Sequence, residues 1–562
     1  MEIDRFTSGI IQDALQAVGD EMFEALRRTS MSPIIYEALD YAVGATDAQG
    51  NLLAQGNGVT AFLGSLDSAV RGALEHYDGG AGLRPGDVIL TNSPYQGGGT
   101  HLPDMVTILP VFHDGSIVAF TVNKAHWTEI GGMDTGSLTT RSTEIFQEGL
   151  HFRFLKLYEA GTLNASLVEL IRENVRLPND TLGDMHAGVA AARVGARRVE
   201  TLIGKYGLDT VLAAMQELLD YGERMTRLEL LKLPEGVYTA EDVIEEDGLG
   251  NGPFTIKAAV TLKDGRCIAD FTGTSAQAPG PINCSFAGLL TGVRCVFKAV
   301  TNPDIPANGG AFRPLEIICP PGTLLTAESP APVSLYFESL IAAIDVVWKA
   351  LAPIAPNHLS AGHKRTVGST FISGGHPDTG ELYILGEPLM GGWGAASDAD
   401  GINGMFCCGN GETFNIPVEL TEARYGLQVD QYAFHTEPGG EGKFRGGKGV
   451  VLDYRVTHGD AFLTVAFSRT LSRPWGLQGG REGSLNYAEI LRVDGSVERH
   501  NVGTAITVGE NEVARLYSAT GGGFGDPAER PADEVRSDLR NGYITPEQVA
   551  RYYPQTVEHD PT

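Results

Sequence analysis

Residues 92–132, NSPYQGGGTHLPDMVTILPVFHDGSIVAFTVNKAHWTEIGG, hold the densest concentration of side chains able to do chemistry. His101 precedes Asp104 by three positions, with Pro103 stiffening the link. An imidazole and a carboxylate at that spacing can converge on one cation, and a second histidine, His126, follows downstream. Two histidines with carboxylates suit Zn, Mn or Fe as divalent ions. The spacing of His101 and Asp104 is by itself a common arrangement of satisfied side chains. What makes the metal reading specific is the hairpin between Asp104 and His126. Residues 105–112 and 117–125 are apolar and β-branched, and His113-Asp114-Gly115-Ser116 between them is a turn signal. Folding that hairpin brings its open ends, Asp104 and His126, together. A strict two-residue turn at Asp114-Gly115 pairs position 104 with 125, which puts Asp104 and His126 on opposite faces of the sheet. The reading therefore requires a bulge or an irregular strand end, and the run Gly97–Gly99 lends itself to irregularity.

The elements that must position these groups follow from periodicity. Ile10, Ile11, Ala14, Leu15, Val18, Met22, Phe23 and Leu26 recur at helical spacing. ALDYAVGATDAQGNLLAQG reads as a hairpin turning at 47–50, and 65–77 as a short helix with Ser65 as its N-cap. Residues 163–233 are strongly helical. After Pro234 strands return, with a hairpin turn at Asp264-Gly265 and apolar helices near 289–300 and 335–351. Residues 370–525 are glycine-rich, and Thr545, Pro546 and Gln548 form the start of a capped terminal helix. The expected fold class is α+β: a multidomain, mixed α/β chain with hairpin-rich sheets, a helical segment in the N-terminal half and a β- and loop-rich C-terminal half. The expected divisions are a metal-site domain at 1–233, a central α/β domain at 234–369, a glycine-rich domain at 370–526 and a helical tail at 527–562.

Composition narrows the function classes. A chain of 562 residues exceeds what one hydrophobic core supports. Its formal charge of −28 opposes binding to nucleic acid or anionic lipid. Glycine, 72 residues, is about twice its usual share and points to functional loops. The N-terminus has no secretory pattern, and no apolar run is long enough to span a bilayer. Six cysteines without zinc-finger spacing fit a reducing cytoplasm and structural packing. There is no P-loop, and no G-x-S-x-G elbow. Cys407-Cys408 could supply a nucleophile, but no spacing couples the pair to a histidine.

At EALDYAVGATDAQGNLLAQ, GDVILTNSPYQGGGTHLPDM, NKAHWTEIGG, FQEGL, NVRLPNDTLGDMHAGVAA, NPDIPANGGAFRPLEI, PVELTEARYG and GGGFGDPAER, the chain resembles the hydantoinase B / oxoprolinase family. That family includes B subunits of ATP-dependent hydantoinases and caprolactamases, and it is related to acetone and acetophenone carboxylase subunits. The resemblance implies a metal held by Asp40, His101, Asp104 and His126; Asp40 could not be chosen from spacing alone. It also implies a hetero-oligomer with a hydantoinase A-type ATPase subunit. That partner binds ATP and phosphorylates the carbonyl oxygen of a cyclic amide, which this subunit then opens with water activated by the cation. Asp104 or Asp40 is the expected proton acceptor. Glu148, in FQEGL, is a further catalytic candidate expected on an exposed turn. The sequence departs from the family in reading Ala125-His126-Trp127 where relatives carry A-H-H, and Ala38-Leu39-Asp40 where relatives carry a basic residue. Both changes make the surroundings more apolar and leave the substrate open. The alternatives are a ketone carboxylase subunit and a non-catalytic scaffold for the ATPase.

Overall fold

The computed structural model describes residues 4–96 and 98–556; Gly97 of the glycine run lies outside them. The chain divides into two compact units, each discontinuous in sequence. The first comprises 1–237, 259–340 and 409–416, and the second 238–258, 341–408 and 417–562.

The first unit is built on a seven-stranded sheet. Its strands are β1 (Tyr41–Asp47), β2 (Leu52–Gln55), β3 (Val88–Thr91), β4 (Asp104–His113), β5 (Ser116–His126), β6 (Leu155–Glu159) and β7 (Thr162–Leu163), in the spatial order β2-β1-β5-β4-β3-β6-β7. Every pairing in it is antiparallel. The expected hairpin turn is present: Asp114 and Gly115 both have positive φ, 47° and 81°, as a type I′ turn demands.

Helix α1 (Arg5–Thr29) starts at Asp4, whose carboxylate accepts from the backbone N–H groups of Phe6 and Thr7. It buries Ile11, Leu15, Val18, Met22 and Leu26, while Ile10 stays exposed. A short helix, α2 (Pro33–Tyr36), opens with proline at its first position. Leu39 then takes a positive φ of 60°, a strained conformation for a side chain of its kind, and turns the chain into β1. Helix α3 (Leu66–His76) follows Ser65 as expected, but the Ser65 hydroxyl donates to the Phe62 carbonyl rather than capping the helix.

The alternation of β5 decides what each face does. Thr121 and Asn123 point to α4 (Pro178–Tyr206), donating to its Ala192 and Gly188 carbonyls. Lys124 and His126, in the other phase, point to the opposite face, where Lys124 donates to the hydroxyl of Ser65. On that side Arg294, in helix α5 (Phe286–Thr301), makes a paired contact with the buried Asp67 of α3 at 2.9 and 3.0 Å.

The second unit contains two antiparallel sheets. One has four strands, from residues 369–375, 382–387, 461–466 and 502–508; the other has five, from 427–434, 450–456, 487–491, 497–500 and 513–517. Two long helical stretches in the first unit, α4 and Leu208–Leu230, match the helical region expected before Pro234. The chain is thus α+β, with hairpin-built sheets and a β-rich C-terminal half. Among the described residues no helix is long and apolar enough to cross a membrane.

Candidate metal centre

Register is the first determinant of the site. At the turn, His113 faces Ser116 and Phe112 faces Ile117, but Val111 faces Ala119. Val118 is therefore an extra residue, a β-bulge that advances β5 by one position. Beyond it Asp104 faces His126 directly, not Ala125 as a strict two-residue hairpin would have it. Directly opposed residues share a face, so the bulge is what places carboxylate and imidazole side by side. On the other flank of β5, Tyr41 faces Ala125, and the His126 N–H donates to the Asp40 carbonyl at 3.0 Å. Asp40, His126 and Asp104 thus form one row across three adjacent strands.

The loop before β4 supplies the fourth group. The Asp104 N–H returns to the His101 carbonyl at 3.2 Å, closing a turn that folds His101 back over its partner. Gly99 makes this approach possible, because a Cβ there would lie 2.1 Å from the Ser93 carbonyl oxygen. The His101 Nε2 lies 3.0 Å from Asp104 Oδ1, and the Thr100 hydroxyl donates to Asp104 Oδ2 at 2.5 Å. His101 Nδ1 lies 3.0 Å from the Ser334 carbonyl oxygen, which can only accept, so Nδ1 carries the proton. In a neutral ring the Nε2 lone pair then faces a carboxylate lone pair at hydrogen-bond distance. Only a proton or a cation between them relieves that repulsion, and a histidine fixed through a backbone carbonyl is the usual arrangement of a metal ligand.

Ligand atoms of His101, Asp104 and His126 all lie within 4.8 Å of one another, and all three residues are buried. Asp40 is adjacent through the row but is not part of that 4.8 Å group. The electrostatics fit a cation. Burial, and then the proximity of His101, push His126 down to about 4, so its ring is neutral and has a lone pair to give. Burial alone would raise Asp104, but His101 outweighs it and holds the carboxyl at about 2. Burial, and then the charge of Asp104, push Asp40 up to about 8. A divalent ion would reverse that last shift.

Three features escaped the sequence. Glu148, expected on an exposed turn, is buried: its carboxylate accepts from the Ser142 hydroxyl at 2.7 Å and from the Val333 and Ser334 N–H groups, each at 2.9 Å. It thereby fixes the segment whose Ser334 carbonyl orients His101. Tyr336 packs its ring 5.0 Å from His101, and its buried hydroxyl interacts with Thr100 and Asp104. Neither Ser334 nor Tyr336 could be found from spacing, being more than 200 positions from His101. Lys124, one pleat along β5 from His126, is fully buried; burial pushes its ammonium down to about 8.

A family profile described as Hydantoinase B/oxoprolinase matches residues 4–527. A protein of Pseudomonas sp. strain NS671 whose name reads "Putative D-/L-hydantoinase", B component, is 32% identical over 99% of this chain and 96% of its own length. The crystal structure of the ATP-dependent caprolactamase from Pseudomonas jessenii superposes with a TM-score of 0.89 at 29% identity, covering 98% of this chain and 96% of that one. A nucleotide-free acetone carboxylase structure gives a TM-score of 0.91 at 19% identity, covering 98% of this chain and 79% of that one, a likeness of fold alone.

Proposed function

Because the chain belongs to the hydantoinase B/oxoprolinase family, we propose that it is the metal-dependent, ring-opening subunit of an ATP-dependent cyclic-amide hydrolase. An ATPase partner of the hydantoinase A type binds ATP and phosphorylates the carbonyl oxygen of the cyclic amide, and this chain adds water to the activated carbon. The names of the hydantoinase-type relative and of the caprolactamase support the substrate class and the dependence on ATP. The observation that carries the proposal is the row Asp40–His126–Asp104 set in register by the Val118 bulge, with His101 Nε2 aimed at Asp104.

In this reading His101, His126, Asp104 and Asp40 hold one divalent ion, Zn, Mn or Fe, as two imidazoles with two carboxylates suit. When bound, such an ion lowers the pKa of a coordinated water from ~15.7 towards ~7 and so makes a nucleophile available at neutral pH. The chain's own groups divide the remaining work. Both oxygens of Asp104 are already engaged, by Thr100 and His101, which leaves Asp40 as the better-placed proton acceptor. Glu148, its carboxylate occupied by Ser142, Val333 and Ser334, acts as a positioning residue for His101 rather than on substrate.

The test uses the chain purified with its ATPase partner. His101→Ala and Asp104→Asn should each lose stoichiometric metal by elemental analysis and lose ring opening, while ATP hydrolysis by the partner survives. Full metal content and full ring opening in both variants would remove the assignment. Turnover of a ketone that requires bicarbonate, with no lactam opened, would instead establish a carboxylase.

A further inference from the structure

The second unit holds a different chemical arrangement that the metal-site reading does not use. Cys408 Sγ lies 3.1 Å from His363 Nε2. The other ring nitrogen, Nδ1, lies 3.8 Å from Asp345 Oδ1. Asp345 is fixed in turn: Arg469 donates to Oδ2 at 2.6 Å and the Trp475 indole N–H to Oδ1 at 3.1 Å. Cys408, His363 and Asp345 are 8%, 7% and 1% exposed. Nucleophile, base and orienting carboxylate therefore stand in series, the order that activates a thiol. The sequence could not reveal it, because Cys408 and His363 are 45 positions apart and only tertiary packing joins them.

Geometry separates this cluster from a metal centre. In the first unit three ligand atoms converge within 4.8 Å. Here the sulfur and the carboxylate lie against opposite nitrogens of one imidazole, which suits passing a proton along the line and prevents both from reaching one ion. The buried carboxylate's charge also has a role in that line. Burial opposes ionisation of Asp345, but Arg469 outweighs it and holds the carboxyl well below the usual range, so an anion stands 3.8 Å from Nδ1, where its charge favours a proton on that nitrogen. Nε2 is then left free to accept the proton of the thiol.

The space beside Cys408 limits what can react there. Ile344, Trp348, Ala361, His363 and Trp393 line a cavity of about 10 Å³, room for one water-sized molecule. The indole of Trp393 closes over the His363 ring at 5.4 Å, and Trp348 packs on Trp393 at 6.1 Å. An acyl substrate does not fit. Hydrogen peroxide, one oxygen larger than water, is the smallest hydroperoxide and the one this space admits with least displacement of its lining.

We propose that Cys408 is a nucleophilic thiol, activated by His363 and Asp345, that reacts with small hydroperoxides to form a sulfenic acid. Its proton passes to His363 Nε2, and the sulfur forms a bond to one peroxide oxygen as the O–O bond breaks. The departing hydroxide takes the proton back from the imidazolium and leaves as water. Sulfur is oxidised by two electrons and the peroxide is reduced by two, so thiol and hydrogen peroxide give sulfenic acid and water.

The molecule carries its own controls. Cys407 is the neighbour in sequence and just as buried. Cys267 is buried too, and burial pushes its thiol up to about 12. The full-length protein is treated briefly with hydrogen peroxide, catalase removes the excess, and the chain is denatured in dimedone so that access no longer selects. Peptide mass spectrometry then reads each cysteine. Cys408 should carry the adduct about tenfold faster than Cys407 or Cys267, and His363→Gln should remove that lead. An equal rate at Cys407, or an undiminished lead in a folded His363→Gln variant, would overturn the proposal. If that variant does not fold, the ranking of the three cysteines in the parent protein decides alone.

Discussion

Replacing Glu148 by alanine tests whether the site depends on a carboxylate that never faces it. The substitution leaves two buried backbone donors, the N–H groups of Val333 and Ser334, without an acceptor. Each orphaned donor costs about 1–3 kcal/mol, so the pair costs roughly 2–6 kcal/mol. An opposing effect depends on pH. Burial pushes the Glu148 carboxyl up from 4.5 to about 7. A folded-state value above the unfolded one means that the parent is best off below the unfolded value and loses stability as pH rises through the folded one. That shift is worth about 3 kcal/mol, which alanine does not suffer. In metal-free protein the deficit of Glu148→Ala should therefore approach the full 2–6 kcal/mol near pH 4.5 and shrink by about 3 kcal/mol by pH 7.5. Denaturant melts at both pH values in a chelator measure it. With the 333–334 segment released, metal affinity should fall about 10- to 100-fold, read by competition with a chromophoric chelator. A variant within about 0.5 kcal/mol of the parent at acid pH, with unchanged metal affinity, would refute the account of how His101 is held.

Asp40→Asn should leave the chelated protein's melting temperature nearly unchanged at pH 7, because a carboxyl pushed up to about 8 is already protonated there. The same variant should lose most of the stabilisation that added metal gives the parent, compared in thermal melts with and without ion. Arg294→Ala should cost about 3–5 kcal/mol in denaturant unfolding, since it strands the buried Asp67 with Arg71 as its remaining charged partner. Gly99→Ala should cost about 1–3 kcal/mol and weaken metal binding, because the added Cβ meets Ser93 backbone that cannot yield. A melt matching the parent's would show the approach to His101 to be looser than its geometry.

How much could be read beforehand depended on whether the cause was local. The Asp114-Gly115 turn, the capping box of Thr545 and Gln548, and the stripe of α1 from Ile11 to Leu26 are each set by neighbours a few residues away, and each is present. The need for a bulge followed from counting register, but its place at Val118 did not, since nothing in IVAF marks which residue is extra. Glu148 was misplaced because a charged residue beside glycine normally reads as surface; its burial depends on donors at 333 and 334, far along the chain. Ser65 sits where a cap belongs, yet its hydroxyl serves Phe62 and Lys124. The pairing of Cys408 with His363 has no local cause at all.

The bulge also divides the β4–β5 hairpin into two parts that answer differently to engineering. On the outer side, residues 113–116 form a tip whose length can change by matched pairs, one residue added to each strand, without turning any side chain of the inner half. A single residue added between Val118 and His126 has no such freedom, because it rotates the histidine to the helix-covered side of the sheet. Grafted epitopes or tethers belong at the tip, whereas the eight positions from 119 to 126 admit no change in number.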